Sequence, residues 1–470
     1  MNALDFRASV ERLDADGDLL RVDERLAGGE EPFAVASEAA RANGPAVLFT
    51  DVPGTGRLVS GVRGGPDQTV QRSRLPWRRC VTALGLDADA PYRSLLRVVR
   101  AAGTEPAAVE EAPLEADRAA RDVTALCLPV STPTSAPLVT TGIASTTVDG
   151  ETQWAPVRGV VEGRTTLRLS VPERFAEAAS DGPAALALGV PTAATLAAHL
   201  QATGARPWRD RDTPTIAAAL GTTDIAPVDG GLLPASAEVV VEGTATAESS
   251  PPPGPSARWE RTVPTATLSL SVARVATRAD PLLPCVPLGT PLADDVHVTS
   301  VVESARLSSR VNGYWGVSPV EWVWLPVESG LGLCLVASEL LYAGFEWQLA
   351  NTLFSFSSSF DKIVILDADS SVENLARALD DMWVKAHPSH DWHFSDPAAP
   401  AATAPRYRRD GETGSRLYVN AAWDPQWDEE YIAPRVTFET MYPAELQEGV
   451  RERWESLGFD PVESEEGTRE

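Results

Sequence analysis

Apolar positions open the chain at helical spacing. Leu4, Phe6, Val10 and Leu13 form one stripe and predict a helix, after which Asp14–Asp18 (DADGD) turns the chain into a strand over 19–22. A second amphipathic helix is predicted over 33–43, and the apolar run PAVLFT over 45–50 reads as a strand turned back by 51–56. The DxDxD spacing invites a calcium loop. Gly17 comes two places early for that, and Arg25 stands where the closing glutamate belongs, so the segment reads as a turn.

Residues 104–118, rich in Ala, Glu and Pro, read as a connector. From Val123 to about Pro284 the period shortens to two, in segments such as APLVTTGIAST, WAPVRGVV and TATLSLSVARV joined by Gly, Pro and Asp turns. One helix interrupts them at 192–203, and SSPPPGPS over 249–256 reads as a loop between two strands. Beyond Val298 the pattern predicts strands over 319–326, 332–337 and 362–366 and helices over 339–354 and 371–385. Residues 397–405 read as a second loose loop. Pro443 opens a last helix that Gly458 ends, with Leu446, Val450, Trp454 and Leu457 on one face. The fold class is α/β (α+β) in three blocks, 1–120, 121–305 and 306–470, with a barrel-like or split-barrel centre.

Composition adds two constraints. There are 66 acidic residues against 40 basic ones, a formal charge of -26, which repels nucleic-acid phosphates and anionic membranes. The basic side is almost all arginine, since Lys362 and Lys385 are the only lysines. This pairing of acid excess with lysine loss reads as adaptation to a salt-rich cytoplasm, in which carboxylates hold water and cations. Cys80, Cys127, Cys285 and Cys334 lie far apart among apolar neighbours, with no CxxC spacing, and read as buried free thiols in a reducing compartment. The N-terminus lacks a signal-peptide pattern, and no apolar run approaches a membrane span.

The usual signatures of chemistry are missing: no HExxH, no P-loop, no GxGxxG opening a helix after a strand, and no nucleophile elbow. His387, His390 and His393, with Asp391 among them, have a spacing that could gather imidazoles on a metal. Their position between a helix and a Pro/Ala loop favours a solvated loop.

Several collinear segments resemble the UbiD family of decarboxylases. They are DFRASVERLDADGDLLRVDE, EAARANGPAVLFTDVPG, QWAPVRGVV, LSVPERF, AALALGVPTAATLAAHL, LPASAEVVVEGT, DKIVILDAD and YPAELQEGVRERWESLGF, in the family's order across almost the whole chain. The resemblance implies a small N-terminal α/β domain, a split β-barrel that binds prenylated FMN, and a C-terminal α/β domain with dimer contacts. It implies reversible decarboxylation of unsaturated or aromatic acids, with the flavin as electron sink and an arginine and two acids beside it. It also implies a divalent metal, with potassium, that ties the flavin phosphate to the protein.

Carried over residue by residue, the family's active-site arginine falls on Arg158, and its metal-ligand asparagine falls on Gln153, beside Trp154. The metal-ligand histidine falls on Phe175, next to Arg174, and the metal-ligand glutamate falls near Thr213, with Asp212 as its acidic neighbour. The loop that carries two glutamates reads PPGPSAR, placing Pro253 and Arg258 in their register, with Glu248 and Glu260 nearby but out of register. A phosphate-contacting lysine falls on Arg416. The implied cofactor set is therefore Gln153, Trp154, Arg174 and Arg416, and the implied catalytic set is Arg158 with Glu260. Metal and potassium ligation is largely lost.

Three readings stay open: a decarboxylase with relocated acids (Glu260 or Glu248), a non-catalytic subunit that pairs with an active relative, and a protein that binds a flavin or an aromatic acid without turnover. A homo-oligomer or hetero-oligomer is expected, through the last helix. The charge yields a first prediction. The melting temperature rises from dilute buffer to molar potassium chloride as self-repulsion is screened; a flat curve contradicts this.

Overall fold

The computed structural model describes residues 3–26, 29–65, 75–105, 107–132, 135–370, 375–395, 399–400, 413–423 and 438–458. Residues 1–422 form one compact unit and 423–470 a second.

At the centre of the first unit six antiparallel strands close into a barrel. Their order is Val239–Glu248, Gly182–Leu188, Leu138–Val148, Glu151–Gly163, Thr166–Pro172 and Thr265–Thr277, and the last pairs back onto the first. Period-two alternation sends Leu167, Leu169 and Val171, with Leu186, Leu188, Val239, Val241, Leu268 and Leu270, into one apolar cluster inside the barrel. The opposite faces carry Ile143, Trp154, Ala185, Ala187 and Val240 into a second cluster with the helix Thr192–Ala202. That helix is alanine-rich because nine of its eleven residues are buried against the sheet. The closing pair needs Gly243 at a register shift, since a Cβ there would stand 2.1 Å from the Ser271 carbonyl oxygen.

The N-terminal sheet runs Leu19–Val22, Ala46–Phe49, Arg57–Ser60 and Leu282–Pro284, so its last strand arrives only after the whole barrel. Buried Glu238, at the barrel's edge, accepts from Arg7 (2.7 Å) and from the Leu282 amide (3.0 Å), and joins the first helix, Phe6–Ala15, to both. The C-terminal sheet has the order Val320–Trp324, Leu333–Ser338, Lys362–Asp367, Leu417–Ala421, Trp392–Phe394, with its three middle strands parallel.

Between these layers runs the helix Asp294–Tyr314, with 16 of its 21 residues buried. Its polar side chains bond to neighbouring elements: Asp294 accepts from the amides of Val62 (3.1 Å) and Gly64 (3.1 Å), Ser300 donates to the Leu325 carbonyl (2.6 Å), and Asn312 donates to the Val320 carbonyl (2.8 Å). The boundary expected at 305 falls inside this helix. The connector 104–118 contains the short strand Glu110–Glu111 and leads into Arg118–Ala120. All four cysteines are free and buried. Among the described residues no helix is long and apolar enough to cross a membrane.

In the second unit the helix Ala444–Glu452 follows Pro443 and buries none of its residues. Of the stripe expected to be covered, Leu446 is 47 % and Leu457 53 % exposed, while Val450 and Trp454 are half-buried.

The DADGD turn is used for ion pairs. Asp14 binds Arg21 (2.5 Å) and Asp16 binds Arg12 (2.9 Å). Asp18 accepts from Arg79 Nε (2.7 Å) and Nη2 (2.9 Å) with both side chains almost fully buried. Removing one partner strands a charge in the interior. Asp18→Ala is therefore expected to cost roughly 3–5 kcal/mol, read as a lower denaturant midpoint at unchanged slope. A loss below about 1 kcal/mol, the range of an exposed pair, contradicts this.

Candidate functional site

The barrel strand Glu151–Gly163 positions three of the implied residues. Trp154 is fixed from both sides: its backbone amide donates to Thr213 Oγ1 (3.0 Å) and its indole Nε1 to the Leu232 carbonyl (2.7 Å). Two and four places on, Pro156 and Arg158 share its face. Arg158 is buried and forms a fork-to-fork pair with Glu260, Nε to Oε2 at 2.6 Å and Nη2 to Oε1 at 2.8 Å, while Nη1 donates to the Pro253 carbonyl. Glu260 also accepts from Ser170 Oγ and from the Ala257 amide (2.6 Å).

Arg158's partner is thus two residues beyond the register position. Arg258, which stands in register, instead donates its backbone amide to Asp295 Oδ2 (2.6 Å). Glu248 lies apart on the barrel edge, 3.3 Å from Arg168 Nε and accepting from Ser250. Asp295 is the acid that sequence reasoning missed. It is 8 % exposed, and its Oδ1 has no hydrogen-bond partner among the described residues. Burial, with the neighbouring charge of Asp294, pushes its carboxyl up to about 6 against the pull of the Arg258 amide. One turn on, Thr299 hydrogen-bonds back to the Asp295 carbonyl (2.6 Å) and lines a small hollow with Pro156, His199 and Trp259. The His199 imidazole is depressed to about 3 by burial and by the charge of Arg63, so it is neutral. It meets Trp259 edge-on at 6.1 Å. The only sequence signal for Asp295 is the acidic pair Asp294-Asp295 opening a helix.

That hollow shares Ala202, Thr203, Thr262 and Val263 with a larger cleft of 480 Å³. Gln153, Trp154 and Arg174 all line the cleft, opposite the end of the alanine-rich helix. Its volume lies within the roughly 300–1,000 Å³ of small-molecule sites, so it fits a flavin mononucleotide by size. Arg416 does not line it; its guanidinium sits 5.1 Å from the Phe354 ring in the C-terminal layer.

A bridging metal fits less well. Phe175 is buried in the barrel core where the resemblance places an imidazole. Asp212 stands at the N-cap of the helix Thr213–Ala219, where its carboxylate accepts from the Thr215 hydroxyl (3.5 Å). Of the residues lining the cleft, Gln153 and Glu173 are oxygen donors without a histidine beside them, a poorer set than the one the resemblance implies. Among the described residues no group of three or more His, Cys, Asp or Glu could hold a metal. The histidines are divided: His387 and His390 pack ring to ring at 4.8 Å, and His393 stacks on Tyr418 at 4.5 Å.

Comparison with known proteins follows the same outline. Residues 10–99, 102–291 and 297–421 match the N-terminal, Rift-related and C-terminal domains of 3-octaprenyl-4-hydroxybenzoate carboxy-lyase, the UbiD domains. The chain is 25% identical to the pyrrole-2-carboxylic acid decarboxylase of Pseudomonas aeruginosa, over 97% of this chain and 99% of that protein. The vanillic acid decarboxylase of Sedimentibacter hydroxybenzoicus in its open form superposes with a TM-score of 0.76 at 18% identity, over 97% and 99% of the two chains. The UbiD-class enzyme HmfF of Pelotomaculum thermopropionicum in complex with FMN gives 0.74 at 18% identity, over 94% and 99%. An evolved dimeric form of HmfF in complex with prFMN gives 0.71 at 17% identity, over 94% and 99%. Matched through all three of its domains and folded as they are, this chain belongs to the UbiD family.

Proposed function

We propose that the chain is a working decarboxylase of an unsaturated or aromatic carboxylic acid, with its acid–base groups moved within the site. The observation that carries this reading is the buried fork-to-fork pair of Arg158 and Glu260. It keeps an arginine and a carboxylate together although Pro253 and Arg258 occupy the family's register positions. Prenylated FMN, held in the cleft by Trp154 and its neighbours, would supply an electron sink when carbon dioxide leaves.

Arg158 uses three of its nitrogens on Glu260 and Pro253, which fixes its plane and leaves the remaining N–H groups to orient a carboxylate. Asp295 supplies the second acid. A carboxyl that titrates at about 6 still carries protons near neutrality, so it returns a proton to carbon more readily than an ordinary aspartic acid would. The buried ring of His199 and the indole of Trp259 keep water out of the inner hollow. The substitutions at Pro253 and Arg258 favour a second reading, a non-catalytic subunit, and turnover decides between the two.

The test is co-expression with a flavin prenyltransferase, followed by absorbance, mass analysis and carbon dioxide exchange into pyrrole-2-carboxylate and vanillate. Bound prenylated FMN with exchange is expected, and Arg158→Ala or Glu260→Gln should lower the rate by roughly 100-fold or more. A colourless protein, or exchange unaffected by Arg158→Ala, contradicts the reading. Because Asp295 acts when protonated, the rate of net decarboxylation, read as product formed, should fall as pH rises through about 6.

Stability gives a second readout for Asp295. Its folded value, about 6, lies above the ordinary 3.8, so its contribution to folding is complete below about pH 4 and is lost as pH rises through 6. Asp295→Asn keeps the acceptor for the Arg258 amide and removes the buried charge. The variant is expected to be more stable than the parent at pH 8 by roughly 3 kcal/mol, with the difference vanishing near pH 4. Equal stability at both pH values refutes the raised titration.

A further inference from the structure

We propose that Arg174, seconded by Arg209, grips the phosphate of the bound flavin directly and replaces the divalent metal that the family's architecture implies. The proposal rests on the flavin reading above and goes beyond it.

Arg174 is the second residue of the helix Glu173–Ala179 and reaches into the 480 Å³ cleft. Its guanidinium lies against Gly204, at the far wall. Gly204 has φ +62, and a Cβ built there would stand 2.5 Å from Arg174 Nη1. A glycine is therefore required twice, by the left-handed backbone and by the close approach. Arg174 makes no hydrogen bond or ion pair with any described residue. Several exposed arginines of this acidic chain pair with a neighbouring acid, Arg12 with Asp16, Arg21 with Asp14 and Arg41 with Glu38. Others, such as Arg97 and Arg118, form no ion pair among the described residues and do not line the cleft. Arg174 is exposed; an arginine that lines a cleft, lies against its glycine wall and has no carboxylate partner among the described residues is suited to an anion from outside. The acid beside it, Glu173, also lines the cleft and forms no ion pair with it.

Arg209 lines the same cleft, and its bond to Asp210 (3.0 Å) is exposed and weak, so it can turn to a stronger anion. Phosphate suits a guanidinium fork, which offers two parallel N–H groups where a metal would offer coordination sites. The adjacent position is Phe175, whose ring is buried in the barrel core. An imidazole is absent at that position, and a cation that lines the cleft stands one residue away.

The test is a titration of purified protein with FMN and, separately, with riboflavin, each in EDTA and in manganese chloride. Expected results are FMN affinity within about twofold in the two buffers, a loss of about tenfold or more in Arg174→Ala, and partial recovery in Arg174→Lys. Riboflavin, which has no phosphate, should bind the parent and Arg174→Ala equally. Melting curves of the variants confirm that they fold. FMN binding that needs manganese, or that Arg174→Ala leaves unchanged, overturns the proposal and leaves the flavin reading standing. Failure of both FMN and riboflavin to bind in either buffer overturns the flavin reading and the proposal together.

Discussion

Closure of the barrel is the constraint on which the site depends. The strand Val239–Glu248 pairs with Thr265–Thr277 as well as with Gly182–Leu188, so the sixth strand must return to the first. The chain between the closing strands, residues 249–264, is thereby tied at both ends and crosses the strand that carries Arg158. Pro253 at one point of that crossing and Glu260 at another both meet the Arg158 guanidinium. Where the chain continues, Arg258 reaches the first turn of the long helix at Asp295. Barrel and loop thus bring Arg158 and Glu260 together from 102 positions apart, and the same loop ties to the long helix at Asp295.

Charge is handled differently at the surface and inside. Outside, single aspartates and glutamates face arginines across exposed pairs worth little each. Inside, Asp18–Arg79, Glu238–Arg7 and Glu260–Arg158 are hydrogen-bonded on several sides, as buried charges must be. The two lysines follow the same division. Lys362 is exposed and pairs with Asp361, whereas Lys385 is 6 % exposed and lies between Asp367 and Asp381. Both lysines of the chain thus face a carboxylate.

Much of this fold was legible wherever one face of an element is dry and the other wet. The stripe Phe6, Val10, Leu13 and the alternation along Thr166–Pro172 appear as read. The predicted helix over 339–354 begins later, at Phe345, because Gly344 in a left-handed conformation caps it. The 21-residue helix Asp294–Tyr314 escaped notice since it is buried nearly all round and rich in Ser, Thr and Asp, leaving no apolar stripe. For the site, Gln153, Trp154 and Arg158 were implied by the family resemblance alone, and the carry-over was simple because all three lie on one strand, whose period is fixed. Glu260 and Asp295 were harder. A proline-rich loop changes length freely, so counting along it puts Arg258 where Glu260 lies, and the bond from Arg258 to Asp295 spans 37 positions. No local pattern encodes such a contact. Arg416, one residue before the strand Leu417–Ala421, sits against Phe354 in the C-terminal layer and does not line the cleft.

The central claim is that this barrel still holds a flavin, with Arg158, Glu260 and Asp295 at its reactive end. A crystal structure of the protein co-produced with a flavin prenyltransferase tests it most directly. The account predicts electron density for the cofactor in the cleft beside Trp154, its phosphate within hydrogen-bonding distance of Arg174, and the Arg158–Glu260 pair facing the ring. An empty cleft, or a flavin bound with its ring turned away from Arg158, would contradict it.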